Sequence, residues 1–426
     1  MKFNIVLALS LLVQSISGFS YPATAGGLVN VDEHSQRDVF SMVDWATNYG
    51  IQKSDGVELT SYDGQDYEVM TQQNIPAGTP VVFVPSDLIF ASYKAAQEFG
   101  GALQMSENEL MQKNAQHRIP LFRIFVKILT EYEKADSSPW YPWLNSTPRM
   151  YNTGVSMTYA CYDVLPPYAA WLALSERQTF VKFQDAIKHT AGTLLSESTV
   201  TNVALLKWAY NVAATRSIEW NGERCIAPMA DMFNHGTETE IDITIDEQGN
   251  CMAYTSKDVP AGSPLRVSLG DPTNPSHLFA TYGFLDESSP ATFCKVMHLE
   301  NEMRELGYDF SNLLFFKDTG DISPQVYDVV LYGELKKYDP NTAQQYGQAV
   351  LNGDEATKSQ FQQQYWQYTK EALQQHVDSF LIDLDKLSAK AMTYNPQTHP
   401  RAPVILRHNT FVRETFMRVK QNLDNM

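Results

Sequence analysis

One turn motif occurs twice in this chain, once near residue 75 and again near residue 259. Both copies, Ile75–Pro80 and Val259–Pro264, place Pro-Ala-Gly at their centre. Proline presets φ and glycine permits positive φ, so each copy predicts a tight turn. Strand-like runs flank both turns, namely Tyr67–Thr71, Val81–Val84, Cys251–Ser256 and Leu265–Ser268. We predict two hairpins that belong to one β-rich unit with an insertion between them. The alternative is chance use of a common turn.

The segment between the two turns has helical periodicity. Apolar residues recur there at intervals of three and four, which predicts an amphipathic helix. The members of this stripe are Ile119, Phe122, Phe125, Val126, Leu129 and Tyr132. A further helix is predicted over Thr201–Ile218, with Trp208 on its apolar side. We place the helical insertion at about residues 92–200.

The composition changes after Pro290 to Gln-, Tyr- and Leu-rich helical patterns. The strongest predicted helices are Gln325–Lys337, Thr357–Lys390 and Asn409–Leu423, with a loop over Tyr394–Pro403. The fold class is therefore α+β. Residues 38–290 form a β-rich unit that is split by the helical insertion, and residues 291–426 form an all-helical domain.

Charge and cysteine spacing exclude two classes of ligand. The net charge is −17, from 32 Lys+Arg against 49 Asp+Glu. An acidic surface repels phosphate backbones, so we expect no nucleic-acid partner and favour a basic protein segment. The alternative is that the charge serves solubility alone. None of the four cysteines stands at zinc-ligand spacing from another Cys or a His, so we expect no metal.

The N-terminus has the pattern of a targeting sequence. Lys2 is followed by the apolar run Ile5–Ile16, which is too short to span a bilayer and predicts a signal peptide over residues 1–18. The alternative is a buried N-terminal helix. Phe19 then opens residues 19–37, a flexible or transit-like segment that resembles the bipartite presequence of algae with secondary plastids. We therefore predict entry into the secretory pathway, favour a plastid destination over export, and expect no membrane span in the mature chain.

The most informative residues lie between Ile226 and Phe284. The sequence Ile-Ala-Pro-Met-Ala-Asp-Met-Phe-Asn-His ends at His235, and Tyr-Gly-Phe ends at Phe284. Upstream lie Lys-Trp-Ala-Tyr, starting at Lys207, Thr-Arg, ending at Arg216, and a Trp-rich stretch that begins at residue 139. In this order, the set resembles the split SET domain of Rubisco large-subunit lysine methyltransferases and of actin-histidine methyltransferases. The resemblance extends from about residue 38 to the end, and it implies a C-terminal helical domain that binds the protein substrate.

The resemblance implies a site for S-adenosylmethionine and a channel for the target side chain. Arg216 would bind the carboxylate of the cofactor, and Asn234 its amino group and nearby backbone. The backbone of His235 would meet the adenine edge. Asp231 lies three residues before Asn234, on the same side of a predicted helical turn. Tyr282 would form a wall of the target channel.

Each of these residues also has a purely structural alternative. The alternatives are a helix cap for Asn234, a surface ion pair with Glu219 or Glu223 for Arg216, solvent exposure for Asp231 and a core position for Tyr282.

The chain departs from the pattern of the family at two positions. Gln65 to Tyr67 stand where the family has a Gly-x-Gly loop that lies against the cofactor, and Cβ atoms there restrict close approach. Counting back from Tyr282 without gaps, the catalytic tyrosine of the family falls on Leu269, which has no hydroxyl. Ser268 is expected to point to the opposite face of the same strand. Tyr254 would replace the missing hydroxyl only if it faces the channel.

The resemblance therefore implies transfer of a methyl group from S-adenosylmethionine to the nitrogen of a protein lysine. Leu269 leaves open a second class of function, a weak or inactive SET module that binds the cofactor or a protein partner. Transfer to histidine is a third alternative, because both reactions use the same fold.

Overall fold

The computed structural model describes residues 27–293 and 297–426, so the predicted signal peptide lies outside the described residues. Its strands are β1 Gln52–Lys53, β2 Val57–Thr60, β3 Glu68–Thr71, β4 Pro80–Val84, β5 Phe90–Ala91, β6 Ile218–Trp220, β7 Glu223–Ile226, β8 Asn234–His235, β9 Ile241–Ile245, β10 Cys251–Thr255, β11 Arg266–Val267, β12 Ala291–Phe293 and β13 Leu314–Phe316. Its helices are α1 Val39–Asn48, α2 Ser92–Phe99, α3 Gln104–Gln112, α4 Ile119–Glu133, α5 Tyr141–Ser146, α6 Tyr159–Tyr162, α7 Pro167–Ala186, α8 Glu197–Thr201, α9 Val203–Arg216, α10 Pro275–Tyr282, α11 Glu300–Glu305, α12 Pro324–Tyr338, α13 Pro340–Asn352, α14 Glu355–Gln364, α15 Trp366–Met392 and α16 Ala402–Asn425.

The largest sheet joins strands from both sides of the helical insertion. Its order is β1-β4-β10-β9, with all neighbours antiparallel, and Cys251 of β10 lies opposite Val84 of β4. Helices α2 to α9 lie between these strands in the chain. The predicted β-rich unit with a helical interruption is therefore confirmed, and the two portions of the chain depend on each other for strand pairing.

The two Pro-Ala-Gly turns pair with each other, so the prediction that each closes its own hairpin is wrong. Strand β3 pairs with β2, while β4 pairs with β1 and β10, and β11 pairs with β8. Ile75 and Val259 instead exchange two backbone hydrogen bonds of 2.8 Å. The amides of Gly78 and Gly262 each donate to the strand that leads into the opposite turn. The repeated motif thus joins the two portions of the β-rich unit at their turns.

Helix α4 supplies the centre of the insertion's core. Phe122 and Phe125 are fully buried, as the predicted apolar stripe requires. Their rings pack at 5.1 and 5.6 Å from Phe183 of α7, and Tyr210 of α9 packs on Phe183 at 5.3 Å. Burying one such aromatic side chain stabilises the fold by about 1.5–3 kcal/mol. The core holds α9 in place, and with it Arg216 at the end of that helix.

The C-terminal region is mostly helical, but the prediction of an all-helical domain from residue 291 is wrong, because β12 and β13 pair antiparallel within it. A second difference concerns one of its helices. The single helix predicted over Thr357–Lys390 is two helices, α14 and α15, separated at Tyr365. Neither Pro nor Gly marks this break in the sequence. The first residue of α15, Trp366, packs on Tyr327 of α12 with ring centroids 5.7 Å apart.

The helical region also packs on the β-rich region. Phe279 and Ala280 of α10 share a buried cluster with Ile405 of α16, and α10 in turn packs on α7. No helix in residues 27–293 and 297–426 combines the length and hydropathy that a bilayer crossing requires.

Candidate functional site

The predicted motif ending at His235 folds as a turn followed by a strand. A short 3-10 turn covers Ala230–Met232, and β8 begins at Asn234 and pairs in parallel with β11. Asp231 and Asn234 therefore do not share a helical turn, and Asn234 does not cap a helix, because pairing with β11 extends the backbone. Met229, just before the turn, has φ +70° and a buried side chain. A non-glycine residue in so sparse a region costs about 1–3 kcal/mol and persists where its surroundings fix it.

The backbone at the expected Gly-x-Gly position lies against the predicted site residue Asn234 and against Arg37, which was not predicted. Arg37 donates from Nη1 to the carbonyl of Gln65 at 2.7 Å, and its guanidinium lies 5.0 Å from the ring centre of Tyr67. The Nδ2 atom of Asn234 donates to the carbonyl of Tyr67 at 3.1 Å. Burial, with Arg216 nearby, lowers the pKa of Arg37 to about 10. The structure thus brings Gln65, Tyr67 and Asn234 together as predicted and adds Arg37.

Arg216 joins this cluster through the turn before β8. Its Nη1 atom donates to the carbonyl of Asp231 at 2.6 Å and approaches Met232 Sδ at 3.7 Å. Arg37 contacts the same sulfur at 4.0 Å. The surface ion pair considered for Arg216 does not form among the described residues, since its two candidate partners bond to Arg224 and Ser92 instead.

The carboxylate of Asp231 is buried and only half satisfied. Its Oδ2 atom accepts from Trp143 Nε1 at 3.1 Å, while Oδ1 has no partner among the described residues. Burial raises the pKa of Asp231, and Arg216, Trp143 and Arg37 oppose that rise. A buried acceptor without a partner is costly, so this oxygen is available for a donor that the protein itself does not supply.

His235 connects the cluster to Leu269. Its Nδ1 atom accepts from the backbone amide of Leu269 at 3.1 Å, and its Nε2 atom lies 3.2 Å from Asp286 Oδ2. This network assigns the proton to Nε2. Burial alone would raise the pKa of Asp286, but hydrogen bonds from His235, Ser288 and Thr237 hold it well below its usual range. The imidazole therefore fixes the backbone at Leu269.

Leu269 and Tyr282 line one cavity of about 390 Å³. The hydroxyls of Ser217 and Thr281 are buried at this cavity without hydrogen-bond partners among the described residues. The remaining lining residues are Arg118, Leu121, Glu176, Ala214, Ile218, Glu219, Arg224, Ser268 and His277. Burial raises the pKa of Tyr282, so its phenol stays protonated at neutral pH. The two residues predicted for the target channel are thus brought together, and Tyr282 is not a core residue.

Of the two substitutes considered for the missing hydroxyl, Ser268 lies where it was not expected, and Tyr254 does not meet the condition set for it. Strand β11 ends at Val267, so the alternation of a strand does not apply and Ser268 lines the cavity beside Leu269. Tyr254 is not among the described residues that line this cavity. It lies on the same face of β10 as the exposed Met252, opposite the buried Cys251.

Glycine at 283 lets Tyr282 end helix α10 against the preceding loop. Gly283 has φ +85°, and a Cβ atom there would lie 2.7 Å from the backbone carbon of Asn152 and 2.8 Å from the amide nitrogen of Thr153. Only glycine meets both requirements. The glycine of the Tyr-Gly-Phe motif is therefore required by the local backbone, whether or not the motif takes part in a reaction.

Three residues of the site were missed in the sequence. Arg37 and Tyr151 carry no motif and reach the cluster only through folding. His277 lies on α10 one turn before Thr281, and both line the cavity. Of the three missed residues, only His277 could have been found from the sequence, because its helical spacing from Thr281 places it on the face of α10 that leads to Tyr282. Burial lowers the pKa of His277; Glu176 opposes the change and Arg118 adds to it.

The fold and the paired cluster and cavity define a protein of the SET-domain fold. No protein-family profile matches the sequence, and no curated protein matches it. Among solved structures, the chain is similar to the SET domain of LSMT bound to lysine and AdoHcy (TM-score 0.65, 11% identity, 91% of each chain). It is also similar to Rubisco LSMT bound to sinefungin and monomethyllysine (TM-score 0.65, 12% identity, 91% of this chain and 92% of the other). Rubisco LSMT bound to AdoMet gives a TM-score of 0.63 at 12% identity, with 92% of each chain covered. The fold expected from the sequence is confirmed.

Proposed function

We propose that the protein transfers a methyl group from S-adenosylmethionine to a lysine side chain of a protein substrate. The observation that carries this proposal is the direct connection between the polar cluster and the cavity. Arg216 of the cluster is followed by Ser217 of the cavity, and His235 holds the backbone of Leu269. A cofactor in the cluster and a side chain in the cavity would therefore be neighbours. The similar Rubisco LSMT structures contain AdoMet, sinefungin, lysine or monomethyllysine.

The polar groups of the cluster fit this cofactor. Within the described residues Arg216 forms hydrogen bonds through Nη1 only, which leaves its other donors for a carboxylate. Among the residues that the structure describes, Asp231 Oδ1 is an unfilled acceptor beside it, and the exposed Asn234 has no hydrogen bond at Oδ1. When bound, the cofactor supplies a methyl group on a positively charged sulfur. The chain supplies both signs of charge that the amino-acid end of this molecule requires.

The residues of the cavity prepare the target nitrogen. A lysine must lose its proton before its nitrogen can accept a methyl group. His277 lines the cavity, its ring nitrogens make no hydrogen bond within the described residues, and burial lowers its pKa, so it is neutral at pH 7 and can accept that proton. The free hydroxyls of Ser217 and Thr281 can orient the amine, and Tyr282 walls the channel. Most of the acceleration would come from alignment in this desolvated space.

Leu269 favours a second candidate, a SET module that binds cofactor or a partner with little turnover. It lines the cavity without a hydroxyl, at the position where the sequence resemblance places the catalytic tyrosine. If the module binds the cofactor, the two candidates differ in turnover; if it binds only a partner, they differ in cofactor binding as well.

The helical region from residue 291 onward is proposed to dock the protein substrate. Its partner would be a basic segment, given the net charge of −17.

Incubation of the purified protein with radiolabelled S-adenosylmethionine and an algal extract tests the proposed reaction. We expect label in one or a few proteins, recovered as methyl-lysine after acid hydrolysis. Label recovered as methylhistidine would replace lysine with histidine as the target. Cofactor binding without any labelled protein would favour the non-catalytic module.

A further inference from the structure

The hydroxyl of Tyr151 is buried and has no hydrogen-bond partner among the described residues. The residue is only 7% exposed. Burying a hydroxyl without a partner costs free energy, and native structures keep few such groups. The sequence marks Tyr151 with no motif, and no hydrogen bond described for the cofactor cluster or the cavity involves its hydroxyl. The Tyr151 hydroxyl is therefore available for a hydrogen bond to a ligand, since no described residue of the protein bonds to it.

The surroundings of Tyr151 are strongly positive. The charges of Arg216, Arg37 and Arg149 act on its hydroxyl, and the charge of Asp231 acts in the opposite direction. Burial raises the pKa of Tyr151 although the three arginines oppose that rise, so the phenol stays protonated and is a donor. A donor among an excess of cations is complementary to an anion.

Two of these arginines are already satisfied by the protein. Arg149 donates to the carbonyls of Thr147 and Asn145, and Arg37 to those of Ser146 and Gln65. Arg216 is therefore the arginine of this group that has donors left for an anion.

The backbone of Tyr151 is held in place from the C-terminal region. Its carbonyl accepts from Arg401 Nε at 3.2 Å and Nη2 at 2.9 Å, and Arg401 also pairs with Glu33 at 2.6 Å. These bonds fix the main chain, and burial of the ring leaves the side chain little room to turn its hydroxyl towards another partner. The unfilled donor is a built feature of the site.

We propose that the Tyr151 hydroxyl donates a hydrogen bond to the carboxylate of the amino-acid moiety of S-adenosylmethionine, beside Arg216. This assignment rests on the proposed function and adds a cofactor-binding residue that lies outside the motifs. It also connects the helical region to the cofactor through Arg401.

Calorimetric titrations on the full chain test this proposal with two ligands. S-adenosylhomocysteine contains the carboxylate, whereas 5′-methylthioadenosine keeps the adenosine and the sulfur but lacks the amino-acid moiety. The variant is Tyr151→Phe. The matched control is Tyr162→Phe, because Tyr162 is also 7% exposed but donates its hydroxyl to the Gly154 carbonyl at 2.7 Å. Urea denaturation of the ligand-free proteins accompanies the titrations.

We expect Tyr151→Phe to weaken S-adenosylhomocysteine about tenfold or more, since hydrogen bonds to charged groups are the strong ones, and to leave 5′-methylthioadenosine unchanged. Its ligand-free stability should be equal to that of the wild type or higher, because an unsatisfied group has been removed. Tyr162→Phe should show the reverse, lower stability with unchanged binding. Equal S-adenosylhomocysteine affinity in Tyr151→Phe and wild type, or equal losses for both ligands, would overturn the role proposed for Tyr151 and leave the proposed function standing. A wild-type protein that binds neither ligand would overturn the proposed function, and this assignment with it.

Discussion

At the scale of single residues, we predict that Leu269 limits the rate of the proposed methyl transfer. It lines the cavity with Tyr282, and its amide is held by His235. Leu269→Tyr should raise kcat, by up to about 10²–10³-fold, because a positioned hydroxyl of this kind is worth that much. Single-turnover methyl transfer to the labelled substrate measures the effect.

The control for this substitution is Leu269→Phe, which adds the ring without the hydroxyl. A similar rate gain in both variants would show that the aromatic ring, through its packing, and not the hydroxyl raises the rate. A fast wild-type enzyme that Leu269→Tyr does not improve would show that the position has another role.

The proposed role of His277 as the proton acceptor predicts a pH dependence of the reaction. Its pKa is lowered by burial below the ordinary 6.5, with Glu176 and Asp271 opposing and Arg118 reinforcing the change. The imidazole is the base only when neutral, so kcat should be level at and above the ordinary value of about 6.5 and fall at lower pH, as the pH approaches the lowered pKa. His277→Gln should lower the rate and abolish this acid limb. A variant that keeps the wild-type pH profile would rule out His277 as the proton acceptor.

At the scale of elements, local patterns predicted the type of most segments but not their partners. The stripe of Phe122 and Phe125 identified α4, since helical spacing is local information. The twin turns at Gly78 and Gly262 were found, but they pair with each other, which no local pattern reveals. The strand at Asn234 was missed because it forms by pairing with β11, which is distant in the chain.

The Tyr-Gly-Phe turn gives a test at this scale. Gly283→Ala should destabilise the protein by at least about 2 kcal/mol, from positive φ plus a clash with the backbone of Asn152 and Thr153. Gly78→Ala is the matched control, because Gly78 has φ +76° with open space around its Cβ position. It should cost about 1 kcal/mol, the effect of φ alone. Urea denaturation measures both; equal losses would mean that the loop at residue 152 yields to the added methyl group.

At the scale of the whole molecule, the site forms from portions of the chain that are far apart. The motif residues Arg216, Asn234 and Tyr282 could be predicted because they lie close together in sequence and in a familiar order. Arg37 and Tyr151 could not, because only the packing of the first helix and the insertion brings them to that cluster. The structure accounts in part for the absence of the Gly-x-Gly loop, because the backbone at Gln65 is held by a hydrogen bond from Arg37 to its carbonyl.

The cellular destination of the protein, predicted from its N-terminus, stays a prediction. A fluorescent fusion of the first 35 residues should enter the secretory route and reach the plastid of an alga with secondary plastids. Export of the fusion from the cell would remove the plastid destination. A cytosolic signal would remove the signal peptide as well.

Binding of the cofactor at the Arg216 cluster is the claim on which the others depend, and it needs no knowledge of the substrate protein. Titration of the full chain with S-adenosylmethionine, by calorimetry at low salt, measures it directly. We expect saturable one-site binding to the wild type and at least a tenfold weaker affinity for Arg216→Ala, since breaking a buried charged hydrogen bond costs about 2–5 kcal/mol. Arg413→Ala, which removes an exposed pair with Asp385, should bind as the wild type does. No heat of binding in the wild type, or equal affinity in Arg216→Ala, would contradict the assignment of this cluster as the cofactor site.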